Sequence, residues 1–321
     1  MVTPRVIADF GAEYLVQDGA AVRRAAARRC DPAVGDWVLL EGNFIVEVLP
    51  RHTVFSRKAA GTETREQVLA VNVDIAFVIA AATDVNVRRI ERYLTIAWQS
   101  GAAPVVVLTK ADVVGATDHL RQELEGASAR TPVVVTSAVT GEGLDEIARL
   151  LQPAKTGILL GPSGAGKSTL INRIVGEDVM RTREIHRSGE GRHMTSHRQL
   201  VQLPGGGMII DTPGLREAQL WEGQGGATGT GFARPGALRG ESPLKGQDAL
   251  ANVFEDIEQL ALRCRFADCS HVTEPGCAVK AAVADSSLEL GRLDSYRKLQ
   301  RELRAVAVRS DARLHTDTPV I

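Results

Sequence analysis

Short apolar segments separated by polar turns occupy the beginning of the chain. Three of them have strand character, at 14–16, 36–40 and 44–49, with Gly, Asp, Asn and Pro in between. No helical period precedes residue 85. This spacing predicts a small β-barrel domain that covers residues 1–68.

A different pattern begins at residue 69 and continues to residue 221. Continuous apolar runs, typical of strands buried on both faces of a parallel sheet, lie at 73–82, 104–108, 133–135, 157–160 and 208–210. Stretches with helical spacing lie between them, at 87–99, 144–151 and 170–175. Alternating strands and helices of this length predict a doubly wound α/β domain, so the fold class is multidomain α/β.

The last hundred residues divide into two segments. Residues 222–250 are rich in Gly and poor in apolar side chains, which predicts a mobile insertion. Residues 251–321 contain a cysteine cluster and then, from about 287 to 308, the apolar spacing of an amphipathic helix. We expect a third, helical domain there.

Composition excludes several classes of protein. Hydrophobic residues make up 44% and charged residues 24% of the chain, as in a folded soluble domain. The net charge of -1 provides no bulk attraction for nucleic acid, so any basic surface is local. No apolar run reaches the roughly 18 residues of a membrane span. The N-terminus carries Asp9 and Glu13 where a signal peptide is apolar, which predicts a cytoplasmic protein without a membrane partner.

A phosphate-binding motif follows the strand predicted at 157–160. Residues 161–168 match G-x-x-x-x-G-K-[ST], and a predicted helix comes next. The glycines let backbone N–H groups close around phosphate oxygens, while Lys167 supplies a charge and Ser168 a hydroxyl ligand for Mg²⁺. The predicted phosphate-binding residues are Gly161, Pro162, Ser163, Gly164, Ala165, Gly166, Lys167, Ser168 and Thr169.

A second motif follows the strand predicted at 208–210. Asp211 can hold Mg²⁺ through water, and Gly214 can offer its N–H to a γ-phosphate. The pair of motifs predicts a nucleoside triphosphate site but does not choose between ATP and GTP.

The choice of base rests on Thr109-Lys110-Ala111-Asp112, directly after the strand predicted at 104–108. The Asp112 carboxylate can accept both N1–H and N2–H₂ of guanine, a pair of donors that adenine lacks. Lys110 can lie over the base, and Ser137 and Ala138, after the next strand, would place a backbone N–H near guanine O6. Together these residues favour GTP.

The order of the motifs is unusual, because the base-reading segment precedes the phosphate loop. A circular permutation preserves the three-dimensional site, since each motif follows the carboxyl end of its own strand. We therefore predict a circularly permuted GTPase domain.

Four metal-ligand residues are concentrated in the third domain. Cys264, Cys269, His271 and Cys277 form a C-x4-C-x-H-x5-C pattern, and the turn Glu274-Pro275-Gly276 returns the chain to the last cysteine. Three thiolates and an imidazole suit one tetrahedral Zn²⁺ with a structural role. The fourth cysteine of the chain, Cys30, has no partner in the sequence and is predicted to be structural.

These motifs, in this order, resemble the RsgA family of small ribosomal subunit biogenesis GTPases. Further matching stretches lie at 34–38, 56–61, 70–74, 191–197 and 264–277. The resemblance covers nearly the whole chain except the 222–250 insertion and the tail. It implies an N-terminal OB-fold, a permuted GTPase domain and a C-terminal zinc domain, acting on the 30S subunit late in its maturation.

The catalytic residues are carried over from the resemblance. Leu215 stands where many GTPases have a water-orienting Gln, and the family is thought to use a switch histidine, which is His193 here. Thr195 is the expected switch ligand of Mg²⁺, with Ser196 as the alternative. The family commonly has Asn at the position of Thr109, so a weaker base site is one expectation.

RNA contact is expected at two groups of basic residues. One group lies in the barrel and one around the cysteine cluster: Arg23, Arg24, Arg28 and Arg29, then Arg263, Arg265, Lys280, Arg297, Lys298, Arg301 and Arg304. Either group could neutralise phosphates of 16S rRNA. Because aromatic residues make up only 4% of the chain, phosphate and shape contacts are favoured over base recognition.

The predicted function is 30S-stimulated hydrolysis of GTP to GDP and phosphate by a monomer. The alternative is an RNA-binding assembly factor that uses the nucleotide as a switch and has negligible hydrolysis. An ATP-using kinase or ATPase is disfavoured by the Thr-Lys-Ala-Asp segment.

Overall fold

A computed structural model describes residues 3–58, 66–127, 131–152, 154–176, 198–211 and 246–314. The strands in these ranges are β1 (Arg5–Asp9), β2 (Tyr14–Asp18), β3 (Ala21–Ala27), β4 (Val38–Glu41), β5 (Phe44–Val48), β6 (Val54–Lys58), β7 (Glu66–Val71), β8 (Ile75–Ala81), β9 (Ala103–Thr109), β10 (Val133–Val135), β11 (Thr156–Leu160), β12 (Arg198–Gln202) and β13 (Met208–Asp211). The helices are α1 (Val87–Ser100), α2 (Ala111–Val114), α3 (Asp118–Ala127), α4 (Leu144–Leu150), α5 (Lys167–Val175), α6 (Gly246–Val253), α7 (Glu255–Ala261), α8 (Ala278–Ala284) and α9 (Leu290–Leu314).

The first five strands form a barrel. They are paired in the order β1-β2-β3-β5-β4, with β3 and β5 parallel and the other pairs antiparallel. A bridge between Trp37 and Arg5 joins the start of β4 back to β1. Val6, Val16 and Ile45 are fully buried inside. A five-stranded barrel of this kind is an OB-fold, which confirms the architecture implied by the resemblance.

The central sheet belongs to a doubly wound domain, as predicted. Its order is β10-β9-β8-β11-β13-β12, and only β12 is antiparallel among these strands. Side chains alternate along β8, so Phe77 and Ile79 face α4 and α5, whereas Val78 and Ala80 face α1. Helices therefore cover both faces of the sheet.

The position of the site follows from the strand order. From β8 the chain winds outward to β9 and β10, and from β11 it winds to the other side. The switch point, where doubly wound sheets bind ligands, thus lies between the carboxyl ends of β8 and β11. The phosphate loop begins directly after β11.

The barrel and the central sheet are joined by backbone pairing. Strand β1 pairs with β12, aligning Ala8 with Gln199, and Gln199 is aligned in turn with Asp211 of β13. The guanidinium of Arg198 donates to Asp9 Oδ2 at 3.3 Å and to the Val68 carbonyl at 3.2 Å. The β6–β7 hairpin lies between the two domains in sequence, so the predicted boundary at residues 68 and 69 falls inside β7.

Helices α6 to α9 form the C-terminal unit and pack against α1. Arg292 of α9 pairs with the buried Glu91 of α1 at 2.9 Å and with Asp256 of α7 at 2.6 Å. The helix predicted from about 287 to 308 is α9, which runs to Leu314. Within the described ranges, none of the helices is long and apolar enough to span a membrane.

One predicted boundary needs correction. Residues 246–250, assigned to the Gly-rich insertion by composition, form the first part of α6. Ala249 and Leu250 are buried there, so apolar packing outweighs the local polar and glycine content. Residues 222–245 lie outside the described residues.

Candidate functional site

The phosphate loop connects β11 to the N-terminus of α5. Its first glycine has no room for a side chain, because a Cβ on Gly161 would lie 2.7 Å from the Ile79 carbonyl oxygen. Gly166 caps α5 with φ of 91°, a left-handed conformation that favours glycine. The Lys167 ammonium donates to the Gly161 carbonyl at 2.7 Å and is thus held over the loop. A strand, a tight glycine loop and a helix N-terminus are the elements of a phosphate cradle.

The segment predicted to read the base contacts the predicted phosphate loop directly. The Thr109 hydroxyl, at the end of β9, donates to the Ala165 carbonyl at 2.7 Å. The Lys110 ammonium donates to the Gly164 carbonyl at 2.8 Å. The structure therefore brings together two motifs that are separated by more than fifty residues in sequence.

The same segment is tied to the loop after β10. Ser137 donates to Asp112 Oδ1 at 2.6 Å, and the same hydroxyl accepts from the amides of Val139 and Thr140 at 3.2 and 3.1 Å. The Ala111 amide donates to the Thr136 carbonyl at 3.2 Å. Ser137 thus orients the Asp112 carboxylate, and Ala138 follows it in the turn.

The remaining predicted nucleotide residues are described only in part. Asp211 ends β13, which lies beside β11 with Ile210 aligned to Ile158, so its backbone reaches the same edge of the sheet as the phosphate loop. The Asp211 side chain and the whole of Gly214, His193, Thr195, Ser196 and Leu215 lie outside the described residues.

The four predicted metal ligands are brought together. Their ligand atoms all lie within 4.8 Å of one another. The sulfurs of Cys264 and Cys277 are 3.8 Å apart, and His271 Nδ1 lies 3.7 and 3.5 Å from them. A tetrahedral ion with sulfur bonds of about 2.3 Å separates two sulfurs by about 3.8 Å. The cluster, completed by Cys269, could hold a metal ion.

Local structure supports this arrangement. Glu274 fastens the predicted turn by accepting from the amides of Ser270, Val272 and Thr273 at 2.9 to 3.0 Å, and the Ser270 hydroxyl bond contributes most to lowering its pKa to about 2. The Arg265 amide donates to the Gly276 carbonyl at 3.1 Å, which returns the chain to the cluster.

The chemistry of the ligands also fits a metal. Burial lowers the pKa of His271, so its ring is neutral near pH 7, as a metal ligand must be. Although burial raises the pKa of Cys264, hydrogen bonds from the backbone of Val279 and Ala278 and from the neighbouring cysteines together lower that pKa overall. Burial raises the pKa of Cys269 to about 11, so we expect metal binding there to displace a proton.

Some of the basic residues predicted to contact RNA already bind partners within the protein. Arg23 pairs with Asp18 at 3.1 Å, and Arg24 pairs with Glu13 at 2.7 Å. Arg297 donates to the His271 carbonyl. Two arginines lie instead over phenylalanine rings: Arg28 over Phe44 at 5.0 Å and Arg265 over Phe266 at 5.4 Å. The pairing of Arg28 with Phe44 has no signal in the sequence, because the two residues are sixteen positions apart and meet only through the pairing of β3 with β5.

Comparisons with known proteins agree with this architecture. A model of the RsgA GTPase family matches residues 48–221. The small ribosomal subunit biogenesis GTPase RsgA of Streptomyces avermitilis is 45% identical over 294 residues, covering 88% of this chain and 72% of that protein. RsgA 1 of Oceanobacillus iheyensis is 40% identical over 315 residues, covering 96% of this chain and 84% of that protein.

Solved structures are similar as well. YjeQ from Thermotoga maritima has a TM-score of 0.63 and 25% identity, covering 94% of this chain and 98% of that one. YloQ, a circularly permuted GTPase, has a TM-score of 0.61 and 21% identity, covering 100% of this chain and 98% of that one, and supports the fold alone. The permuted motif order, the OB-fold and the family match over more than half of the chain together show that this protein belongs to the RsgA GTPase family.

Proposed function

We propose that this protein hydrolyses GTP to GDP and phosphate during maturation of the small ribosomal subunit, and that the 30S subunit stimulates its turnover. The observation that carries the proposal is the contact of Thr109 and Lys110 with the phosphate loop. This contact brings the segment proposed to recognise guanine next to the loop proposed to bind phosphate, at the switch point of the sheet. The family membership supports the ribosomal role, since the relatives are named small ribosomal subunit biogenesis GTPases.

In this proposal the phosphate loop binds the triphosphate. Backbone amides of residues 161–169 surround the phosphate oxygens. The Lys167 ammonium, which now donates to two carbonyl oxygens of the loop, donates instead to the β- and γ-phosphates. Ser168 and Asp211 would hold Mg²⁺, with Thr195 or Ser196 as the switch ligand and Gly214 near the γ-phosphate. Bound Mg²⁺ would neutralise charge that develops on the phosphate oxygens.

Guanine would be recognised beside this loop. Asp112 accepts N1–H and N2–H₂, Lys110 covers one face of the base, and the backbone at Ser137 and Ala138 lies near O6. His193 would position the attacking water, because the side chain of Leu215 has no polar atom to do so.

The hydroxyl of Thr109 provides a direct test of the connection between base reader and phosphate loop. Replacement of Thr109 by Val keeps the shape but removes the donor to the carbonyl of Ala165, and Ala165 is only 2% exposed. An unsatisfied buried acceptor costs about 1–3 kcal/mol, so we expect roughly tenfold weaker GDP binding in a titration with a fluorescent nucleotide. Thr109→Ser, which retains the hydroxyl, should bind like the wild type. Equal GDP affinity of Thr109→Val and wild type would mean that this contact does not support the site.

For the cysteine cluster we propose one structural Zn²⁺, held by Cys264, Cys269, His271 and Cys277. Four protein ligands leave no open position, so no catalytic role is assigned to the metal. The cluster would also fasten α8 and α9, because Cys277 caps α8 and Arg297 of α9 binds the His271 backbone.

The proposed partners are the 30S subunit and its 16S rRNA, contacted through phosphates by the OB-fold and the zinc domain. We propose a cytoplasmic location, in agreement with a ribosomal partner. We also propose that the protein acts as a monomer.

Single-turnover hydrolysis of GTP separates the proposed function from its alternative. With protein in excess over labelled GTP, we expect phosphate release to accelerate by at least tenfold when 30S subunits are added. Lys167→Ala serves as the inactive control. If 30S subunits bind but do not accelerate hydrolysis, the protein is a nucleotide-switched RNA-binding factor.

A further inference from the structure

We propose that Arg28 and Phe44 form a stacking platform for an unpaired RNA base on the outer face of the OB-fold. The inference rests on the proposed function and deepens it, by identifying a base-contacting site where the sequence favours phosphate contacts alone. The partner chemistry is a single-stranded stretch of RNA.

The geometry of the barrel places Phe44 on the surface. Phe44 begins β5 and is aligned with Ala26 of β3, while the next residue, Ile45, is fully buried in the barrel core. Successive side chains of a strand point to opposite sides, so Phe44 projects outward. The residue is 44% exposed, although most phenylalanines in folded proteins are buried.

Arg28 covers part of this ring. Its guanidinium carbon lies 5.0 Å from the ring centroid, within the range of a cation–π contact. The backbone fixes the pair, because the Arg28 amide donates to the Ile45 carbonyl at 2.9 Å. Among the described residues neither Arg28 nor Arg29 forms a salt bridge, so no carboxylate competes with a ligand for them. Planar aromatic and guanidinium groups are the surfaces on which RNA-binding proteins stack unpaired bases.

The surroundings match a nucleic-acid strand. Side chains alternate along β3, so Arg24 and Val22 lie on the same outer side of the barrel as Arg28, which directly follows the strand. Both Arg24 and Val22 are exposed. The turn 42–43 between β4 and β5 borders the platform, and the β2–β3 face with this loop is the surface that OB-folds use for oligonucleotides. The ion pair of Arg24 with Glu13 joins two exposed side chains and is therefore weak, so a phosphate can replace the carboxylate.

An unpaired strand fits better than a duplex. In a duplex each base is already stacked on its neighbours, and only an unstacked base exposes a face to the phenyl ring. The arginines would contribute affinity that decreases as the salt concentration rises. Stacking on the phenyl ring would contribute affinity that does not require a particular base.

The test uses the full-length protein and a labelled, unstructured RNA of about 12 nucleotides, a length that suits one OB-fold. We expect Phe44→Ala and Phe44→Leu to bind this RNA about tenfold more weakly, and Phe44→Trp to bind at least as well as wild type. Leu290→Ala, which removes an exposed apolar side chain at the start of α9, is the matched control and should not change the affinity. Thermal melting verifies that each variant folds.

The outcomes separate this proposal from the proposed function. Equal affinity of Phe44→Ala, Phe44→Leu and wild type for the RNA overturns the platform, and so does absence of RNA binding by the wild type. Weaker binding of Phe44→Ala to 30S subunits, but not to RNA, would assign the surface to a ribosomal protein and also overturn it. If the RNA results hold but 30S subunits fail to stimulate GTP hydrolysis by the wild type, the platform stands and the proposed function is wrong.

Discussion

Replacement of Asp112 by Asn is expected to change the preferred base from guanine to xanthine. The carboxylate would accept two N–H groups of guanine, whereas an amide presents its own N–H to one of them. Charge-assisted hydrogen bonds contribute about 1.5–3 kcal/mol each, so the loss of one, with the other reduced to a neutral bond, predicts roughly a hundredfold decrease in GDP affinity. Xanthine carries an oxygen at the corresponding position and should accept from the new amide. Competition of GDP and XDP against a fluorescent nucleotide measures both effects.

The control is Asp118→Asn, which removes the same charge from an exposed first-turn position of α3. It should leave both affinities unchanged. Retention of GDP affinity by Asp112→Asn, or equal competition of ATP with GTP in the wild type, would contradict the assignment of the base reader.

Loss of the cysteine cluster is expected to unfold the C-terminal domain. Cys277→Ser removes a buried ligand that lies 3.5 Å from His271 Nδ1 and also caps α8. The binding free energy of a structural zinc is about 10–16 kcal/mol and is coupled to folding, so the domain around the cluster should melt without it. We expect the purified wild type to contain one zinc per chain, and the variant to contain none and to have reduced helix content. A strong chelator should reproduce this effect in the wild type.

Cys30→Ser is the matched control, because Cys30 lies in the barrel, where its thiol donates to the Ile45 carbonyl at 3.4 Å. It should retain the zinc and the helix content of the wild type. Zinc-free wild-type protein with undiminished stability would show that the cluster is not a structural metal site.

The elements that carry motifs could be predicted from the sequence. Strands β8 to β11 are apolar runs bounded by turns, and the predicted limits differ from the observed ones by at most two residues. The permuted order was evident because each motif directly follows one of these runs. Hydrophobic burial on both faces produces this pattern, so it is readable without tertiary information.

Strands β1, β3, β6, β7 and β12 escaped prediction, and for two of them the physical reason is clear. Strand β3 (AVRRAAA) contains mostly alanine and arginine, which have little β-propensity, and β12 (RQLVQ) is short and polar. Both become strands because neighbouring strands pair with them, β2 and β5 in the first case and β1 and β13 in the second. Such tertiary pairing has no local signal.

Side-chain contacts across the site were also beyond sequence reasoning. Thr109 was expected to weaken the base site, because the family commonly has Asn there. In the structure its hydroxyl donates to the Ala165 carbonyl at 2.7 Å, across 56 positions of sequence. Whether a short hydroxyl reaches that carbonyl depends on the spacing of β9 and β11, which the sequence does not specify.

The central claim is that 30S-stimulated hydrolysis takes place at the permuted guanine site. Its most direct test measures nucleotide turnover of Asp112→Asn with GTP and with XTP, each with and without 30S subunits. We predict that 30S subunits stimulate hydrolysis of XTP, but not of GTP, by this variant, and stimulate hydrolysis of GTP by the wild type. Stimulated GTP turnover by the variant, or no stimulation with either nucleotide while the wild type responds to GTP, would contradict the account.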